Sequence, residues 1–272
     1  MKKNNISVVL FVIPLILALS CTKSQNDPLE KDKPEDKTMH FDKTNRPLLL
    51  EYTSTGCPGC GSWGKPTFYQ LAQEYSTQIN ALAIHIKYGD PMITAQSNLI
   101  AANRYGQNYT PQIWVNDTNI VVLQGNINSA ASVARAKEVI GINKKNDVPA
   151  LGGILTKITA TQWQIQFGVQ AQIEPLDQSY HLACYLLESK IVHQQAGSAS
   201  NPAEHNYVLR KSIGEVFGFS ITELQALSMN NYATQGEFIL DENINPENCH
   251  LLLVLWQKQG NRFVATNSLR VD

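Results

Sequence analysis

The stretch EYTSTGCPGCGSWGKP, residues 51–66, holds two of the chain's five cysteines, Cys57 and Cys60, with Pro58 and Gly59 between them. RPLLLEY (46–52) is a short apolar run that predicts a buried strand. On the other side, Phe68, Leu71, Ala72 and Tyr75 recur at i, i+3, i+4 and i+7, the spacing of one helix face. A CxxC pair at a helix start places Cys57 where free N–H groups and the helix dipole favour its thiolate. Pro58 is tolerated there because its φ already suits the first turn. Cys60 falls one turn deeper and is expected to be the more shielded thiol. The expected roles are Cys57 as the exposed attacking sulfur and Cys60 as the one that resolves a mixed disulfide.

Working outward, INALAIHI (79–86) predicts a second strand and TAQSNLIAANRYG (94–106) a helix closed by Gly106. PQIWVN (111–116) and NIVVLQG (119–125) flank Asp117-Thr118 and predict a hairpin. INSAASVARAKEVIG (127–141) predicts a final helix, with Asn128 or Ser129 as its cap and Gly141 as its stop. The order is β-α-β-α-β-β-α.

That order, with CxxC at the first strand-to-helix junction, resembles the thioredoxin fold over residues 46–143. Glu51 lies six residues before Cys57, where thioredoxins carry a buried carboxylate. Thr110-Pro111 opens the third predicted strand, where that fold has its cis-proline, and Pro66 falls near its kink-forming helix proline. The resemblance implies a redox site of Cys57, Cys60 and Glu51, with Glu51 relaying a proton and Thr110 and Pro111 offering a strand edge to substrate. Gly56 stands where thioredoxins usually have tryptophan, and the dipeptide is Pro-Gly rather than Gly-Pro, so a reduction potential does not carry over. His85 is expected to be a packed strand residue.

Zinc requires four ligands, typically a second CxxC or closely spaced histidines. No second CxxC exists and the six histidines are scattered. No metal and no cofactor are expected.

The N-terminus has Lys2 and Lys3, the apolar run ISVVLFVIPLILAL (6–19), then Ser20 and Cys21, the order of a secretory signal over residues 1–20. The run is shorter than the roughly 20 residues that span a bilayer. Cysteine directly after a small residue resembles a bacterial lipobox, and lipidation at Cys21 is favoured over a chance cysteine. The removed segment carries two lysines and no acid, which leaves 20 basic and 23 acidic side chains. Such a balance gives no reason to expect nucleic acid. Residues 22–40 contain nine charged residues, two prolines and no aromatic. A flexible tether over 21–45 follows, because such a stretch buries too little apolar area to offset ordering entropy. Export to an oxidising compartment permits disulfides.

GINKKNDVPALGG (141–153) predicts a linker. Beyond it, runs such as WQIQFGVQAQI (163–173), YHLACYLLESKIV (180–192), CHLLLVLWQ (249–257) and RFVATNSLRV (262–271) predict an antiparallel, Ig-like β-sandwich over 148–272, with SITELQALS (220–228) as one short helix. Cys184 and Cys249 alternate with leucines onto one strand face, so a disulfide between them stands beside two free core thiols as an open alternative. In the long segment 192–218, His205, Asn206, Tyr207 and Arg210 are read as anchors of the loop by hydrogen bonds, ahead of a binding role.

A lipoprotein start, a thioredoxin-like half and a β-rich half with HNYVLR together resemble the twenty-eight-kilodalton outer-membrane-protein family of Gram-negative bacteria. That resemblance implies a lipid-anchored envelope location, at the outer membrane. The expected function is a thiol–disulfide oxidoreductase acting on envelope proteins with thiols or disulfides. The alternative is a non-enzymatic binding or assembly lipoprotein whose CxxC is a staple.

Overall fold

The computed structural model describes residues 38–272, apart from 88, 105–108, 125, 128, 174 and 229. The secretory segment, Cys21 and most of the tether lie outside the described residues. Among the described residues no helix is long and apolar enough to cross a membrane.

The chain runs through β1 (Leu48–Thr53), α1 (Lys65–Glu74), β2 (Asn80–His85), α2 (Ala95–Asn103), β3 (Gln112–Val115) and β4 (Thr118–Asn119). A small hairpin of β5 (Leu123–Gln124) and β6 (Asn126–Ile127) leads to α3 (Ser129–Asn143). Strands then dominate: β7 (Ala150–Lys157), β8 (Gln162–Gln170), β9 (Tyr180–Glu188), β10 (Ile191–His193), β11 (Ala203–His205), β12 (Val208–Ser212) and β13 (Phe219–Ser220). After these come β14 (Gln225–Ser228), β15 (Asn231–Ile239), β16 (Cys249–Gln259) and β17 (Arg262–Val271).

The larger sheet is mixed, in the order β17-β16-β9-β12-β2-β1-β3-β4. β1 lies parallel to β2 and antiparallel to β3, while β12 joins β2 through Val208 and Ala83. Strands from both sides of the expected linker therefore share one sheet, and residues 38–272 form one compact unit. β14-β15-β8-β7 form a separate antiparallel sheet.

Side-chain alternation explains the layers. Leu48, Leu50 and Tyr52 of β1 point to one face, with Leu82, Ile84 and the α2 residues Ile100 and Ala101. Leu49 points to the other, where Phe68, Leu71, Ala72 and Tyr75 of α1 meet Ala136, Val139 and Ile140 of α3. The i, i+3, i+4, i+7 face read from the sequence is the buried face of α1. β9 divides likewise: Leu182, Cys184 and Leu186 pack with Trp163, Ile165 and Phe167 of β8, while Ala183, Tyr185 and Leu187 pack with Leu50 and Ile84.

Several local expectations are corrected. The tether is not free throughout, since Asp42 and Leu151 exchange backbone hydrogen bonds of 2.8 and 3.2 Å and Arg46 pairs with Asp42 at 2.7 Å. The strand expected over 119–125 stops at Asn119, because the N–H groups of Val121 and Val122 donate to the side chains of Asn119 and Ser132. The helix α2 ends at Asn103, whose side chain exchanges two hydrogen bonds with the Phe263 backbone. Gly141 does not stop α3, which runs on to Asn143. Residues 220–228 form one 3-10 turn, Ile221–Glu223, followed by β14. Of the two alternatives left open for Cys184 and Cys249, the structure has the pair of free thiols. In the β9–β16 register Cys184 faces Leu253 and Cys249 faces Glu188. Four residues of offset is about 13 Å, beyond the roughly 7 Å between Cα atoms that a disulfide can bridge.

Candidate functional site

β1 delivers the chain to the motif, and the first helical turn begins at Pro58. Cys57 and Cys60 are joined as a disulfide with their Cα atoms 5.2 Å apart. The Cys60 N–H, which also donates to the Cys57 carbonyl at 3.1 Å, lies 3.2 Å from Cys57 Sγ, so a backbone N–H of the helix start is shared with the sulfur expected to carry negative charge. Lys65 N–H then bonds to the Cys60 carbonyl, a π-type turn over Cys60–Gly64. Pro66, which has no N–H to give to the preceding turn, follows directly.

The Thr110–Pro111 peptide is cis. It brings the Thr110 carbonyl oxygen to 3.6 Å from Cys57 Sγ. Pro111 lies across the motif's glycines: a Cβ added to Gly64 would sit 2.6 Å from Pro111 Cβ, and one added to Gly59 would sit 3.4 Å from its Cδ. Thr110, Pro111, Cys57 and Cys60 are thus brought together.

Glu51 is two residues beyond Leu49 on β1 and points into the same layer as α1. Its side chain is 2 % exposed, and Oε1 has no hydrogen-bond partner among the described residues. Burial pushes its pKa up to about 8, against the opposing pull of the Lys65 charge and the Thr53 hydroxyl. A Cβ added to Gly64, one turn past Cys60, would lie 3.4 Å from Oε1. The carboxyl therefore sits under the turn that carries the disulfide. Poised near neutrality and enclosed, it can hold or release one proton there.

Cys57 departs from expectation. It is 4 % exposed, little more than Cys60. The segment between β10 and β11 packs on the motif: a Cβ on Gly197 would lie 2.1 Å from the Pro58 carbonyl oxygen, and one on Gly61 the same distance from that of Ala196. These are backbone-to-backbone contacts that only glycine allows, and Gly197 has φ +76°. The clustered glycines of GCPGCGSWG were the available sign that other backbone comes close.

Two further elements were not read from the sequence. The buried Gln195 reaches the motif from the β10–β11 segment, and nothing in VHQQAG separates it from Gln194. Asp90 accepts the N–H of Thr55 at 2.7 Å and that of Met92 at 2.9 Å, and pairs with His85 Nδ1 at 2.9 Å. Burial works against its ionisation, but the hydrogen bond and charge of His85 and the two N–H groups outweigh it and hold its pKa well below the usual range. The ring of His85 lies 5.5 Å from that of His205. Burial, helped by the charges of His85 and Lys65, lowers the His205 pKa to about 3, and its Nε2 has no partner among the described residues.

The remaining candidates anchor the fold. Asn206 Oδ1 accepts the Lys190 N–H at 2.8 Å, and the Asn206 N–H donates to the Tyr69 hydroxyl at 2.7 Å. The Tyr207 N–H donates to Ser189 Oγ, and Arg210 pairs with Glu188 at 3.2 Å. Among the described residues no group of three or more His, Cys, Asp or Glu side chains could hold a metal ion.

No protein-family model and no curated protein matches the chain. Among solved structures, HBP35 of Porphyromonas gingivalis superposes with a TM-score of 0.68 at 15% identity, over 84% of this chain and 75% of that one. A domain of the outer membrane lipoprotein Omp28 from the same organism gives a TM-score of 0.32 at 12% identity, over 45% of this chain and 84% of that one. The first is a likeness of fold, and the second is too slight to carry an argument.

Proposed function

We propose that the chain is a lipid-anchored thiol–disulfide oxidoreductase of the cell envelope, with Cys57 and Cys60 as its redox pair. The observation that carries this reading is the enclosed Glu51 carboxyl against the Cys60–Gly64 turn that carries the disulfide, at a strand-to-helix junction. In the reductive direction the Cys57 thiolate attacks a substrate disulfide, forming a mixed disulfide and releasing one substrate thiolate. The Cys60 thiolate then attacks Cys57 Sγ, forming the Cys57–Cys60 disulfide and releasing the second thiolate. Glu51 accepts the Cys60 proton as that attack begins. Run backwards, the same steps oxidise a dithiol. Residues 46–143 supply the redox pair in a thioredoxin-like arrangement, while residues 148–272 supply the segment that packs on it.

In this reading the lipid at Cys21, rather than the polar tether, holds the protein at the outer membrane. Cys21→Ser is therefore expected to leave the protein soluble in the envelope fraction.

The near-complete burial of Cys57 favours a second reading, in which the disulfide is a staple in a binding or assembly lipoprotein. Trapping separates the two. Cys60→Ser removes the second attack, so mixed disulfides with envelope proteins should accumulate through Cys57, and Cys57→Ser should accumulate far fewer. If Cys60→Ser traps nothing, and the wild-type protein reduces no model disulfide, the staple reading holds.

A further inference from the structure

The approach to Cys57 is held from both sides. Gln195 Nε2 lies 3.2 Å from each of the carbonyl oxygens of Ser54, Thr55 and Cys57, and 3.1 Å from that of Ala196. An amide has two hydrogens, so the two N–H groups are shared among these acceptors. The Ala196 N–H adds a bond of 2.8 Å to Thr55 O. From the other side, Asp90 takes the Thr55 N–H. Cys57 O also accepts from the N–H groups of Cys60 and Gly61, at 3.1 and 3.3 Å.

This crowding of donors has an electrostatic consequence. A carbonyl is the negative end of a dipole, and three of them lie within the last four residues up to and including Cys57. Each keeps a backbone donor without Gln195, Ser54 O from the Cys57 N–H at 3.2 Å, Thr55 O from Ala196 and Cys57 O from Cys60 and Gly61, but in a water-poor site the negative ends that remain unbalanced disfavour negative charge on the adjacent sulfur. The Gln195 amide sets the positive ends of two N–H bonds against them. A glutamine more than a hundred residues away in sequence thereby shapes the field at the sulfur.

We propose that Gln195 is a positioning residue of the redox centre: its side-chain amide fixes the Ser54–Cys57 carbonyls and favours the Cys57 thiolate in the reduced protein. The proposal deepens the oxidoreductase reading and rests on Cys57 being the attacking thiol. Other charged or titratable groups face the same region: Glu51 from β1, Lys65 from α1, His85 and Asp90 from the end of β2 and its following loop, and His205 from β11. They are common to wild type and variant, so the difference between the two reports on Gln195.

The experiment measures iodoacetamide alkylation of the reduced protein in a Cys60→Ser background against pH, read at the Cys57 peptide by mass spectrometry. Gln195→Met keeps the length of the side chain and removes its donors. The midpoint of the pH profile is expected to move up by about half a pH unit or more, roughly a threefold slower reaction well below the midpoint. Gln195→Ala should move it the same way and also raise the high-pH plateau, because the covering segment loses its tie. A midpoint unmoved in whichever variant keeps a native circular-dichroism spectrum overturns the proposal, even if the plateau rises. Alkylation needs no disulfide substrate. A moved midpoint in a protein that reduces no disulfide would therefore uphold the clamp while the oxidoreductase reading fails.

Discussion

Gly64 and Pro111 meet so closely that a methyl group on Gly64 would lie 2.6 Å from the Pro111 Cβ and 2.7 Å from its Cγ. Neither neighbour is the free end of a flexible side chain, so the turn or the Thr110–Pro111 loop must move. Gly64→Ala is expected to cost about 1–3 kcal/mol, measured by urea unfolding. Gly56→Ala is the control, because a Cβ there would have nothing within 4 Å. Equal stability of the two variants would show that the contact is slack.

Leu48–Leu50 and the Phe68–Tyr75 face were legible because each element announces itself by its own period. β9 and β16 were legible as strands but not as members of the sheet that holds β2, which β9 joins through β12. HLACYLL is apolar at every second position and also between them, which is the pattern of a strand covered on both faces. A strand with one solvated face would alternate. That double covering was the sign that β9 belongs inside a larger layered sheet. Gln195 carried no such sign, since a polar residue in a polar loop becomes part of the site only through a tertiary contact.

Glu51 gives the protein a pH dependence of known sign. Its pKa is about 8 when folded against 4.5 for the free carboxyl, so the folded form holds the proton more tightly. Below pH 4.5 both forms are protonated and nothing is lost. As pH rises from there the unfolded form ionises first, and stability falls until the folded group also ionises near pH 8. Glu51→Gln has no proton to lose. The stability of the variant relative to wild type should therefore grow between pH 4.5 and 8, by roughly 3–5 kcal/mol at full effect. Thermal or urea unfolding across that range checks it. A constant difference would mean that Glu51 ionises freely, and would remove the ground for proposing it as a proton relay.

The two free thiols should differ in reactivity. Cys184 is fully buried, which pushes its thiol pKa far up. Cys249 is half-buried and its Sγ lies 3.2 Å from the Asn245 carbonyl; burial first, then the Glu188 charge, push its pKa up to about 12. Without reductant, the native protein should label slowly at Cys249 and not at Cys184. After unfolding without reductant both should label, and the Cys57–Cys60 pair should not. Loss of both labels in the unfolded, unreduced protein would mean that these cysteines pair after all.

Asp90 is the strongest structural test of the turn before Cys57. Its carboxylate meets His85 and two backbone N–H groups where neither side chain touches solvent. Asp90→Ala leaves the His85 ring and the N–H groups of Thr55 and Met92 buried without their acceptor. Such losses cost about 3–5 kcal/mol when a buried pair is broken. The pH behaviour separates this from a simple cavity. The carboxyl is held below its ordinary pKa in the folded state, so its contribution is present above about pH 3.8 and disappears as pH falls through the folded value. His205, whose pKa is lowered from 6.5 to about 3 by burial first, also erodes stability as the pH drops below 6.5; the Asp90 charge pulls that pKa back up, so its removal extends the His205 loss further into acid. The gap between wild type and Asp90→Ala should thus narrow as pH falls below about 3.8, where the Asp90 contribution is lost. Denaturant unfolding at matched pH values measures it. A gap that persists unchanged into acid would assign the loss to packing alone and leave Asp90 no electrostatic part in holding the turn before Cys57.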